Sequence, residues 1–172
     1  MKTAKKRIND ICVAAMTAAL YVVLTLISAS VGLSSGVIQF RVSEALCVLS
    51  VFTPAAIPGL TVGCVLSNLL TDGSVYDVIF GSLATLVGAA GVYLLRRLPY
   101  LAPLPYVAAN VIVIPFVLSA VYGSEHSISF FFLTVGVGEI VCAWAGGIIL
   151  YLVLKKTPLP ELLTGGKRFP RE

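Results

Sequence analysis

The sequence predicts an all-α membrane protein with six transmembrane helices, and three observations carry that prediction. Of its 172 residues, 58% are hydrophobic and 12% are charged; the mean hydropathy is +0.99. An ordinary soluble domain has roughly half its residues apolar and about a quarter charged. The apolar runs approach the ~20 residues that a helix needs to cross the hydrocarbon of a bilayer. The basic residues gather in short clusters beside those runs, where they orient helices and meet anionic lipid headgroups. That placement argues against nucleic-acid binding despite the net charge of +4.

The first span is expected near residues 10–30. Its opening, MKTAKKRINDICVAAMTAALYVVLTLISAS, imitates a secretory signal, but the apolar stretch 11–27 exceeds the roughly 7–15 residues of a signal-peptide core. Ala14 with Ala18, and Ala15 with Ala19, give this span a small-residue face that lets helix backbones approach in lipid. Residues 38–70 have two readings: short spans near 38–52 and 55–70 joined by a turn at FTPAAIP, or one helix kinked at Pro54 and Pro58. Gly59, Gly63 and Ser67 repeat the small-residue spacing, with a partner helix in the same chain expected. Further spans are expected near 77–95, 105–122 and 129–154, making residues 1–156 a single domain. Residues 157–172, with Pro158, Pro160, Gly165 and Gly166, read as a flexible cytoplasmic tail.

Charge chooses between the span counts, because Lys and Arg accumulate on the cytoplasmic side. Six spans with a cytoplasmic N-terminus put 11 of the 12 basic residues inside, whereas five spans would leave only 4 of those 11 there. The expectation is a multi-pass protein with both termini cytoplasmic. Arg41 is the exception: it falls on the outer side, at the mouth of the second span, in the stretch GVIQFRVSEALCVL.

An ionisable group at membrane depth costs about 2.5–3.5 kcal/mol on insertion scales, so each needs a partner or a task. Arg41 and Glu44 are three apart and share a helix face, so they can pair with each other as a structural ion pair or serve a ligand. Glu139 falls about 15 Å into the last span at 1.5 Å per residue. With no cation near it in sequence, it is expected to face a polar cavity, the alternative being a hydrogen bond to a neighbouring helix. Asn68 is read as buried at the outer end of the third span, while Asp77 sits where an N-cap would and Asp72 with Gly73 forms a turn. Asn110 falls toward the cytoplasmic half of the fifth span, and Pro115 is expected to bend that helix. His126, beside Glu125, reads as a solvated loop residue. The four cysteines, Cys12, Cys47, Cys64 and Cys142, lie in apolar runs without metal-site or redox spacing and read as small packing residues. No cofactor or metal site is expected. Gly165 to Lys167 lacks the spacing and hydroxyl of a phosphate-binding loop, so any ATP that drives transport must be bound by another chain.

The segments IQFRVSEAL (38–46), AIPGLTVGCVLSNLL (56–70) and DVIFGSLATL (77–86) resemble the queuosine-precursor S components, the QueT family, of bacterial energy-coupling factor (ECF) transporters. The resemblance runs from about residue 10 to 155. It implies a six-helix bundle in the bacterial cell membrane that binds a micronutrient near its outer face. It also implies partners: a transmembrane T subunit, contacted through Ala14, Ala15, Ala18 and Ala19, and two ATPase subunits. The implied cargo is a 7-deazaguanine base, such as the cyano or aminomethyl precursor, or queuine.

A guanine-type edge offers two parallel N–H donors that one carboxylate accepts, and an exocyclic oxygen that needs a donor. Glu139 or Glu44 suits the first role; Arg41, Gln39 or Asn68 suits the second. A second carboxylate could meet the cationic amine of an aminomethyl precursor, and Asp77 completes the expected substrate-binding set. Tyr76, Tyr122 and Phe130 lie near the mouth, either to stack on the base or to form an interfacial aromatic belt. Three other readings compete: an S component for another vitamin or base, a structural membrane protein, and a membrane enzyme. The last is weakest, because no nucleophile with its base shares a depth.

Overall fold

The computed structural model describes residues 2–33, 40–71, 73–122 and 127–163. Every regular element among them is helical: α1 (Lys2–Ser30), α2 (Val42–Phe52), α3 (Ala56–Leu70), α4 (Asp77–Leu94), α5 (Leu104–Tyr122), α6 (Ile128–Leu154) and a short α7 (Leu159–Leu163). Most of α1, with α4, α5 and α6, is long and apolar enough to cross a membrane, whereas α2 and α3 are shorter. The surface is apolar, and the polar side chains of the spans are gathered inside, beside the apolar core. Ile11, Leu94 and Leu133 are 68%, 79% and 66% exposed, while Glu44, Asn68, Thr85, Asn110 and Glu139 are buried. That inversion suits a lipid surround, where apolar side chains face outward at no cost and polar ones must find partners inside.

The break between α2 and α3 follows from one proline. Pro54 disfavours helical geometry at the residue before it, and Thr53 is extended with φ −149° and ψ 135°. The helix therefore ends at Phe52, and the Thr53 carbonyl and hydroxyl accept bonds from the Ala56 and Ala55 amides, at 3.3 Å each. With Arg41, at the far end of α2, bonded to Asn68 near the end of α3, the two run antiparallel as a hairpin.

α3 lies along α1 in the same direction. A Cβ at Gly59 would sit 2.5 Å from the Ala14 carbonyl oxygen, and one at Gly63 would sit 2.7 Å from the Tyr21 Cβ. The glycine stripe is thus a packing face for α1 of the same chain. α4 and α5 meet in the same way but antiparallel, with Gly88 against Tyr106 and Gly91 against Pro105.

α2 is the central element. From Ser43 to Phe52 every residue is buried except Ala45, which is partly so, and Leu46, Cys47, Val48, Val51 and Phe52 share one core with Tyr21, Leu60, Ala89, Tyr106 and Ala143. A helix buried all round needs no amphipathic stripe. Its first seven residues, Val42–Val48, form a 3-10 helix, and two other helices depart from α geometry: α4 opens with a π turn at Asp77–Gly81 and α6 carries one at Ile140–Gly146. π turns are often found at functional sites, and the second begins directly after Glu139.

Two expectations change. Leu159–Leu163, placed in a flexible tail, are helical with Pro160 buried, and this segment touches α1. Cys12, taken as a packing residue, is exposed on α1, while Cys47, Cys64 and Cys142 are buried; all four are free thiols.

A polar cavity at the mouth of the central helix

Arg41 precedes the 3-10 helix as its N-cap, with extended backbone (φ −102°, ψ 97°). Its side chain therefore does not stack on Glu44 as two residues three apart within one helix would. Arg41 Nη1 instead donates to Asn68 Oδ1 at 3.0 Å, and Asn68 Nδ2 donates onward to the Asp77 carbonyl at 3.0 Å and faces Cys64 Sγ at 3.5 Å. One buried amide thus ties α2, α3 and α4 together. The outer end of α2 is fixed to α1 as well: Thr25 Oγ1 donates to Ser43 Oγ at 2.8 Å, and the Val42 amide donates to Ser28 Oγ at 3.3 Å.

One helical turn deeper, the carboxyl groups of Glu44 and Glu139 come within hydrogen-bond contact of each other. Both are buried, 7% and 4% exposed. They line one cavity with Tyr21, Arg41, Cys64, Thr85 and Asn110, closed on its apolar side by Gly81, Ile114 and Val135. Three of these residues carry buried polar atoms without a hydrogen-bond partner: Arg41 Nε, Asn110 Nδ2 and Glu139 Oε2. Asn110 Nδ2 faces Glu139 without closing a bond of standard geometry. Leaving a buried polar atom unpaired costs about 1–3 kcal/mol, more for a charged group. Two donors and an acceptor left open around one polar hollow are what a ligand with both functions would satisfy.

The hollow is small. The room open to the centre of a water molecule is about 20 Å³, enough for one or two waters at the ~10–15 Å³ each requires.

The expected site residues divide. Arg41, Glu44 and Glu139 share the cavity, and Asn68 stands behind Arg41 as its acceptor. Asp77 does not line it. A helical turn beginning at Val75 leads into α4, with Ser74 as its N-cap and Asp77 as its third residue: the Asp77 amide donates to Ser74 Oγ at 3.1 Å, while Asp77 Oδ2 accepts from the Ser74 amide at 3.3 Å and hydroxyl at 2.8 Å. That reciprocal pair is a capping box, so Asp77 is not itself the N-cap. Gln39, Asp72 and His126 lie outside the described residues, as does the side chain of Tyr122. Tyr76 and Phe130, read either as stacking on a base or as part of an interfacial belt, are 53% and 39% exposed and off the cavity. The aromatic ring on the cavity is Tyr21, which sequence reading missed because a tyrosine in an apolar run carries no distinguishing spacing. Asn110 was also missed as a site residue, although a lone amide inside an apolar helix was signal enough.

The small residues of α1 split between two faces. Ala14 and Ala18 meet α3, while Ala15 and Ala19 are exposed. Beside them runs an apolar groove lined by Asp10, Ile11, Ala15, Ala55, Pro58 and Val62, among others.

A family model described as QueT transporter matches residues 11–156. The chain belongs to the QueT transporter family. The match contains every residue of the cavity and the groove except Asp10. A curated protein of Lactococcus lactis subsp. cremoris (strain MG1363), the queuosine precursor transporter QueT, is 46% identical over 83 residues, 48% of this chain and 48% of its own. In that match the chain spans about half the length of the relative. No solved structure matches significantly. Family membership and the apolar helices together make this a membrane protein of a transporter family.

Proposed function

We propose that this chain is the substrate-binding S component of an ECF-type importer and takes up a queuosine precursor, a 7-deazaguanine base or queuine. ATP is hydrolysed by two partner subunits and the work is transmitted through a transmembrane T subunit. The observation that carries the reading is the convergence of Arg41, Asn110 and Glu139 on one buried hollow, each with an unpaired polar atom. A guanine-type edge is complementary to that set: its N–H donors meet carboxylate oxygen, and its exocyclic oxygen meets Arg41 or Asn110. Tyr21 offers a ring beside it.

Pockets that bury drug-sized ligands run to roughly 300–1,000 Å³, so binding requires the walls to part. The piece that moves is the outer end of α2. It is a 3-10 segment, with poorer hydrogen-bond geometry than an α-helix, and side-chain bonds from Thr25, Ser28 and Asn68 fasten it. The helices are arranged as six spans with both termini cytoplasmic, which places the Arg41 end of α2 outside. The exposed Ala15 and Ala19 and the adjoining groove receive the T subunit, whose own small residues can approach closely there.

Ligand binding by purified single variants tests the site. Glu44→Gln and Glu139→Gln are each expected to weaken queuosine-precursor binding by at least about tenfold, since each leaves a charged hydrogen bond unmade. If both bind like the parent, the base does not sit in this hollow.

A further inference from the structure

At the end of the bundle opposite Arg41, charge of one sign is gathered on an aromatic frame. α2 runs from the cavity down to Phe52, whose ring stacks on Tyr151 of α6 with centroids 5.5 Å apart and 16° between the planes. Tyr100, in the connection between α4 and α5, meets the same Tyr151 edge-on at 6.3 Å, and its carbonyl accepts from Trp144 Nε1 at 3.0 Å. The α4–α5 connection therefore lies against α6. Successive turns, Leu98 amide to Leu95 carbonyl at 2.8 Å and Leu101 amide to Leu98 carbonyl at 2.9 Å, keep Arg96 and Arg97 close to Tyr100. Lys155 and Lys156 follow Tyr151 at the end of α6.

Two of these cations rest on rings of the frame. Arg96 Cζ lies 4.3 Å from the centroid of Tyr93, and Lys155 Nζ lies 5.9 Å from that of Tyr151. Such contacts orient a cation while leaving its N–H groups free to donate. No Asp or Glu occurs from 78 to 124 or from 140 to 160, so the nearest acid in sequence is the partly buried Glu161. Beside the arginines the chain exposes apolar side chains: Leu94, Leu98 and Leu101 are 79%, 54% and 47% exposed. Free phosphate or an acidic soluble protein would meet the cations and leave those leucines uncovered. A phospholipid covers both, its phosphate on the basic groups and its acyl chains on the leucines.

We propose that this face, made by the α4–α5 connection and the end of α6, is a binding site for an anionic phospholipid. It is separate from the polar cavity, and the proposed topology turns it toward the inner leaflet.

Native mass spectrometry of the purified full-length protein in detergent, titrated with phosphatidylglycerol or with phosphatidylcholine of the same acyl chains, reads the site. The anionic lipid is expected to bind at least about tenfold more tightly, since each basic residue at an anionic surface is worth roughly fivefold. Arg96→Gln with Arg97→Gln, and separately Lys155→Gln with Lys156→Gln, should each remove most of that preference. Arg96→Lys with Arg97→Lys should keep most of it. Lys6→Gln with Arg7→Gln, an equal loss of charge on α1, should leave it in place. Equal binding of the two lipids by the parent protein overturns the proposal without any variant. So does an equal loss of preference in the α1 variant, which would mean diffuse attraction by net charge, or displacement of the lipid by millimolar inorganic phosphate, which would mean a site for the free anion. Binding of a queuosine precursor is a separate measurement, so either reading can fail alone.

Discussion

Gly59→Ala places one methyl group where the backbones of α1 and α3 pack against each other. The new Cβ would lie 2.5 Å from the Ala14 carbonyl oxygen, 2.8 Å from the Thr17 Cβ and 3.1 Å from the Ala14 Cα. None of these can rotate away, so α1 and α3 have to separate. Overpacking of this kind typically costs about 1–3 kcal/mol, and an obstacle made of backbone argues for the upper part of that range. Against it stands the gain of replacing glycine by alanine inside a helix, about 1 kcal/mol. The net expectation is a loss of about 1–2 kcal/mol, or about 2–8 °C in melting temperature at ~2–4 °C per kcal/mol for a chain of this size.

Gly136 supplies the control. It lies within α6, and a Cβ there would meet nothing within 4 Å, so Gly136→Ala keeps the gain without the clash. Melting in detergent can be followed with a thiol-reactive dye, because Cys47, Cys64 and Cys142 are buried until the helices part. Gly59→Ala should melt below the parent and Gly136→Ala at or above it. A Gly59→Ala protein as stable as the parent would refute the backbone-to-backbone packing of α1 on α3.

Two further predictions address the site and the groove. Asn68→Leu removes the acceptor from Arg41 Nη1 and should destabilise the protein by about 1.5–3 kcal/mol, the usual worth of a hydrogen bond to a charged group; Asn68→Asp, which keeps an acceptor, should restore most of it in the same melting assay. Ala15→Trp fills the exposed small-residue face without touching the cavity, so it should leave precursor affinity unchanged while lowering affinity for the coupling module at least about tenfold, a cost of roughly 1.4 kcal/mol. Co-purification with the T and ATPase subunits measures the second effect, and undiminished recovery would show that the partner docks elsewhere.

Much of the fold was legible because lipid imposes simple rules. Long apolar runs become helices, since every backbone group must be satisfied within the membrane, and Pro54 dictated where the hairpin turns. Arg41, Glu44 and Glu139 stood out because charge is rare in such a chain, and all three line one cavity. Reading fell short where a residue's role depended on which neighbours it meets. Asp77 looked like a ligand or an N-cap until Ser74 was seen to share a capping box with it. Tyr76 and Phe130 were judged by closeness to the mouth, whereas Tyr21 reaches the cavity from the middle of α1. Asn110 was placed by depth along its own helix, which says nothing about the helix it faces.

By itself, the sequence determined that this is a helical membrane protein, which residues are too polar for lipid, and where the chain turns. Those properties come from single residues and their near neighbours, each weighed against the energetics of a bilayer. Only the tertiary structure decided that Arg41 turns to Asn68 rather than Glu44, that Glu44 meets Glu139 from 95 positions away, and that α2 is the buried centre of the bundle. Such pairings depend on how helices distant in sequence are rotated and stacked, and no local pattern encodes that rotation when every helix is apolar on nearly all sides.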